Sequence, residues 1–221
     1  MSKIVTRLYD SYDRAEQAVI ELIRAGIPHD DVSLVSHRSG VKNAPVSVRE
    51  PEDLTAAQAS GRDSATGGTL GGLLGAGGGV LAGLGLIAIP GLGPVVAAGW
   101  LAAAAVGAVV GGAVGAGAGG IVGALTHAGV SQEEAEVYAE SVRRGGTLVS
   151  AKVENDKVAL ADYILDRFGY VDIRDRRSAY ENAGWTHFNA QSGPYSDEEI
   201  AAERDAWAQR QKAAGETSTV S

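Results

Sequence analysis

The chain has 221 residues, of which 31 are glycine, 5% are aromatic and none is cysteine, so disulfides and thiolate metal sites are excluded. A formal net charge of −8 argues against a general nucleic-acid binder, which needs a basic face to neutralise phosphates. The charge is sharply segregated, because no Asp, Glu, Lys or Arg occurs between Asp63 and Glu133.

The opening Met1-Ser2-Lys3-Ile4-Val5-Thr6-Arg7 has no apolar run and no small-residue cleavage site, so synthesis in the cytoplasm without a secretory signal is expected. Residues 3–9 alternate Ile4, Thr6 and Leu8 against Val5, Arg7 and Tyr9, the period of a strand. A helix follows, with Ala15, Ala18, Val19, Leu22 and Ile23 on one face. Asp10 or Ser11 stands at its start, and Gly26 followed by Pro28 at its end. Val32-Ser33-Leu34-Val35 reads as a second strand and completes a βαβ unit; residues 37–62 are polar and read as a loop, with room for a short helix near 52–60.

In the uncharged segment, Gly67, Gly71, Gly75, Gly79 and Gly83 recur at every fourth position. Gly99, Ala103, Gly107, Gly111, Gly115, Gly119 and Gly123 repeat the device. On an α-helix such a row is a strip without side chains, where another backbone can approach closely. Each helical glycine costs about 1 kcal/mol against alanine, which close packing in an apolar medium would offset. Ile89-Pro90-Gly91-Leu92-Gly93-Pro94 between the rows breaks helix and favours a reversal, so the expectation over 64–128 is a glycine-zipper helical hairpin. Helices over 69–89 and 95–126 would rise about 30 and 50 Å, long enough for two membrane spans with both ends in the cytoplasm.

Beyond it, Ser131-Gln132-Glu133-Glu134 has capping-box spacing and opens a helix that stops before Gly145-Gly146. Residues 147–153 read as a strand, 155–168 as a helix ending at Gly169, and 170–174 as a further strand, a second βαβ unit over 131–175. Two such halves, 3–62 and 131–175, predict an α+β, ferredoxin-like domain: a four-stranded antiparallel sheet with helices on one face, interrupted by the hairpin. The tail, 176–221, spaces Trp185, Phe188 and Tyr195 around Gly193-Pro194, and Trp185, Phe188 and Trp207 are read either as an anchor pinning it to the domain or as a surface for a protein partner. Ser196-Asp197-Glu198-Glu199 opens a helix through Trp207, and the chain from about Ala213 reads as disordered.

Little in the sequence points to catalysis. Gly115-Ala116-Gly117-Ala118-Gly119-Gly120 matches GxGxxG in form, but it follows no strand and lies inside a ladder. His29, His37, His127 and His187 are scattered, so no metal set and no cofactor is expected. The acidic pairs at Asp30-Asp31, Glu133-Glu134 and Asp197-Glu198-Glu199 sit near helix starts or before a strand, where dipole complementarity and solvation account for them.

Ile4-Val5-Thr6-Arg7-Leu8-Tyr9-Asp10 through Gly26-Ile27 and Val32-Ser33-Leu34-Val35 resembles the general stress protein 17M-like (heat-induced stress protein) family. So does Gly129-Val130-Ser131-Gln132-Glu133-Glu134-Ala135 leading to Gly145-Gly146-Thr147-Leu148-Val149. The resemblance covers about residues 3–175 and implies a bacterial protein linked to stress responses, with no active-site residues to carry over. The expected function is thus non-enzymatic: the hairpin anchors a small cytoplasmic domain in membrane lipid and assembles it as a homo-oligomer. The alternative is a soluble, cytoplasmic, oligomeric regulatory or ligand-sensing module with the hairpin as assembly element.

Overall fold

The computed structural model describes residues 2–40, 47–48, 85–89, 92–110 and 120–218. The first half follows the alternation read in the sequence. Strand β1 (Ser2–Tyr9) turns Val5 and Tyr9 to one face of a sheet and Thr6 and Leu8 to the other. Helix α1 (Tyr12–Arg24) buries Ala15, Ala18, Val19 and Leu22. Gly26 then takes φ +83, and Ile27 N–H returns to the Leu22 carbonyl at 3.1 Å, closing the orphan carbonyls of the last turn. Strand β2 (Val32–His37) is buried throughout, which requires cover on both faces.

Strand β6 (Thr147–Glu154) lies between β1 and β2, antiparallel to both, pairing Ser2 with Glu154 through Tyr9 with Thr147 and Val32 with Ala151 through Ser36 with Thr147. The sheet then continues past β2 through β5 (Gly93–Ala98), β4 (Gly85–Ile89) and β3 (Ser47–Val48). All pairings are antiparallel except β3 with β4.

The uncharged segment departs from expectation here. Its reversal falls between Ile89 and Gly93, within the 89–94 stretch that carries the two prolines, but it joins strands and not helices. Leu86-Ile87-Ala88-Ile89 and Val95-Val96 are rich in β-branched residues, and β2 offers an open edge whose N–H and C=O groups need partners. The continuous helix expected over 95–126 is also broken. Gly99 takes φ +84 and turns the chain from β5 into helix α2 (Trp100–Val110). Gly120 takes φ +75 and precedes helix α3 (Ile121–His127).

Gly99 is therefore a corner, not a ladder rung. A Cβ there would lie 2.6 Å from Ser33 Oγ and 2.8 Å from Ser33 Cα, and would overlap the Val32 carbonyl. Gly107 lies in α2 and Gly123 is buried in α3, whereas Gly67, Gly71, Gly75, Gly79, Gly83, Gly111, Gly115 and Gly119 lie outside the described residues. Helix α2 rises about 16 Å, half a hydrocarbon thickness. Among the described residues no helix is long and apolar enough to cross a membrane.

A second departure concerns the layers. Helices were expected on one face of the sheet, but two separate cores flank it. One joins α1 and helix α5 (Val158–Asp166) to Val5, Leu34, Val149 and Val153. The other joins α2, α3 and helix α4 (Gln132–Arg143) to Leu8, Val35, Val95 and Leu148. The uncharged segment thus supplies both strands and cover to the domain.

Two smaller corrections follow. After Gly169 (φ +68) the expected strand over 170–174 shrinks to one bridge, Val171 N–H to the Leu8 carbonyl at 2.7 Å. Asp172 Oδ1 accepts the Arg174 N–H at 2.8 Å and starts helix α6 (Ile173–Asn182), so a capping aspartate ends the strand. The tail helix α7 (Asp197–Ser218) runs past Trp207 and through the residues read as disordered. Ser196 and Glu199 bond each other's backbone N–H at 3.2 and 2.8 Å, the capping box read in the sequence.

Candidate functional site

Among the described residues a polar cluster lies where α4 ends, on the sheet face covered by α4. Capped by Ser131, whose Oγ accepts Glu134 N–H at 3.3 Å, α4 runs to Arg143, and Gly145, which takes φ +93, turns the chain into β6. Its last turn carries Glu140 and Arg143, and Arg144 follows as its C-cap. Glu140 is fully buried and its two oxygens each lie 2.6 Å from a guanidinium, Oε1 from Arg144 Nε and Oε2 from Arg143 Nη2. A buried carboxylate between two arginines is held by geometry; neither arginine would tolerate its loss cheaply. Burial lowers the Arg144 pKa, and the Glu140 carboxylate outweighs that to raise it, so Arg144 stays charged.

Tyr180 of α6 is the centre of the cluster. Its ring meets Trp185 edge-on at 6.0 Å and Trp207 of α7 at 6.3 Å, and the Arg144 guanidinium stands 4.3 Å from its centroid. Burial raises the Tyr180 pKa, offset in part by Arg176, the Ser141 hydrogen bond and Arg144, and the hydroxyl lies 3.3 Å from Ser141 Oγ as a donor. Arg176 is buried, bonds Asp10 Oδ1 at 2.6 Å through Nη2, and lies 3.7 Å from the Trp207 ring. Arg143 faces the rings of Phe188 and Tyr195 at 5.6 and 5.3 Å. The tail aromatics pack on helices α4 and α6 and on arginines.

Helix α7 completes the cluster. Glu203 Oε1 accepts from Arg144 at 3.3 Å and from Trp207 Nε1 at 3.3 Å, and Arg204 donates to the Gly145 carbonyl at 2.7 Å and the Ser39 carbonyl at 3.4 Å. Beneath it lies His37, the last residue of β2, 2% exposed. His37 Nδ1 lies 2.8 Å from Ser39 Oγ and 3.3 Å from the Ser39 N–H, and Nε2 is buried with no partner. Burial lowers the His37 pKa; Asp197 opposes this and Arg204 adds to it. The ring is neutral at pH 7.

The histidines are not brought together. His127 is exposed, His187 Nδ1 lies 2.9 Å from Thr186 Oγ1, and His29 Nδ1 is 3.9 Å from Asp30. Among the described residues no group of three His, Asp or Glu is placed to hold a metal ion. An open cleft of about 270 Å³ lies between the starts of α4 and α6, walled by Ser131, Glu133, Glu134, Ile173 and Arg174 and bridged by an Arg177–Glu133 pair at 2.7 Å. Sequence reading singled out the tail aromatics and the capping boxes. It missed Glu140 and Arg176 and named His37 only among scattered histidines; the importance of all three lies in burial that no local pattern reveals. The arrangement contains charge pairs and stacked rings and joins the tail to the domain.

Comparison of the chain with protein-family models, with curated proteins and with solved structures finds no match.

Proposed function

We propose that this is a non-enzymatic, stress-associated assembly protein: a ferredoxin-like core whose uncharged insert drives self-association. The core reading draws on the neighbour order Val171, β1, β6, β2, with α1 and α5 on one face and the fourth strand reduced to a single bridge. One observation carries the functional part. The described portion of the insert, β4, β5, α2 and α3, is built into the sheet and the second core, so what the insert contacts is transmitted directly to the domain. That favours assembly of the domain itself over a head tethered to a lipid anchor. The non-enzymatic reading draws on the pairing of Glu140 with Arg143 and Arg144 and of Arg176 with Asp10, which engages these charges in the structure. The stress association draws on the family resemblance alone.

Light scattering behind size exclusion, with vesicle flotation of the same sample, tests this. Oligomers that do not float are expected, with dissociation after Gly111→Leu and Gly115→Leu and retention after Val109→Leu and Val114→Leu. A monomer that does not float overturns the assembly role, and flotation of the full chain restores the membrane-anchoring reading in its place.

A further inference from the structure

We propose that the groove bounded by the end of α4, the face of α6 and the end of β2 is a helix-docking site, closed in cis by α7 and open in trans to α7 of a second copy. The chemistry of the occupant is written in α7 itself. It meets the groove through Ile200, Glu203, Arg204 and Trp207, at positions i, i+3, i+4 and i+7, the spacing by which an amphipathic helix is recognised in a groove. Ile200 is fully buried and seats on Gly145, where a Cβ would overlap its Cγ2. Glu203 meets Arg144, Arg204 meets the Gly145 and Ser39 carbonyls, and Trp207 stacks on Arg176.

The cis contact is incomplete in a way that a permanent core is not. From Asp197 to Arg210, Ile200 is the one buried residue; the others are half-buried or exposed. At the seam the donors Arg204 Nε and Arg176 Nε are buried without a partner, and so is His37 Nε2. Desolvating donors and leaving them unmade opposes docking, so α7 is held by a few anchors against a standing cost.

The connection permits exchange. Phe188 is buried and its N–H meets Glu136 Oε2 at 3.4 Å, which fixes the chain up to that point. Residues 189–196 then lead to α7 through Gly193 and Pro194, both exposed, and a Cβ at Gly193 would meet nothing within 4 Å. Eight extended residues reach about 26–29 Å, enough for α7 to leave its own groove and enter a neighbour's, a low-cost route to association between copies. This surface is separate from the uncharged insert, so its role does not rest on assembly through that segment.

The test uses the full chain and a fluorescent peptide of residues 195–221 as the second copy's helix. Ile200→Asp in the full chain dislodges α7, and the wild-type peptide should then bind, read by anisotropy. Binding to the wild-type chain should be at least about tenfold weaker, because the tethered helix competes at an effective concentration in the millimolar range. A peptide carrying Ile200→Asp should not bind, and Arg176→Met in the Ile200→Asp chain should weaken binding of the wild-type peptide. Absence of binding to the Ile200→Asp chain, equal binding to both chains, or equal binding of both peptides overturns the proposal. So does loss of cooperative melting in the Ile200→Asp chain, which would make α7 part of the core. Dissociation of the assembly through the insert leaves these titrations unchanged, so the two ideas fail separately.

Discussion

Ser33 Oγ, on β2, accepts the backbone N–H of Leu101 in the first turn of α2 at 2.8 Å. A strand of the first half thus caps a helix of the insert from 68 residues away, satisfying a donor that the helix itself leaves orphaned. Ser33→Ala should cost about 1 kcal/mol, as loss of an N-terminal cap does, and lower the melting temperature by roughly 2–4 °C. An unchanged melt would show that water replaces the hydroxyl at no cost.

Gly26 and Gly99 share a positive φ, near +83 and +84, but differ in surroundings, and alanine separates the two effects. At Gly26 a Cβ meets nothing within 4 Å, so Gly26→Ala should cost only the backbone penalty of about 1–2 kcal/mol. At Gly99 it meets Val32 and Ser33, which adds an overpacking cost of about 1–3 kcal/mol. Urea titrations showing equal losses would remove the close approach from the explanation of Gly99.

Glu140 neutralises two arginines in the interior, whereas Arg177 pairs with Glu133 and Glu181 at the surface. Glu140→Ala should destabilise the protein by about 3–5 kcal/mol, since it strands buried charge. Arg177→Ala should leave the denaturation midpoint close to that of the wild type, because exposed ion pairs are screened by solvent. Similar denaturation midpoints for the two variants would mean that Arg143 and Arg144 find solvent when Glu140 is gone.

Burial depresses the folded pKa of His37, so folding favours the neutral ring. The stabilisation is complete above the unfolded-state value of about 6.5 and is lost as pH falls below it toward the folded value. Unfolding free energies of the wild type and His37→Asn, compared between pH 7.5 and 5, should show a steeper acid loss in the wild type. Parallel slopes would place the acid sensitivity elsewhere.

How much of this was legible in the sequence varies with how local the cause is. Helix α1, the Gly26, Gly145 and Gly169 stops and both capping boxes were readable because each depends on residues within a few positions. Strands β4 and β5 were not. Their apolar runs carry no period-2 signature, and the glycine row next to them fits helix as well. What selects strand is the open edge of β2, a tertiary fact. The site was less legible still: Trp185, Phe188 and Trp207 stood out by type, whereas Arg176 and His37 matter because of what closes over them.

The pairing of β1 with β6 sets a timetable for synthesis. Thr6 and Ser150, whose hydroxyls meet at 3.0 Å, are 144 residues apart. At about 5–20 residues per second, the ribosome needs roughly 7–30 s to deliver the partner of the first strand. During that interval β1, α1 and the uncharged insert are made without the strand that zips β1 to β2. The nascent chain therefore carries a long apolar, glycine-rich stretch before the strand that joins β1 to β2 has been made.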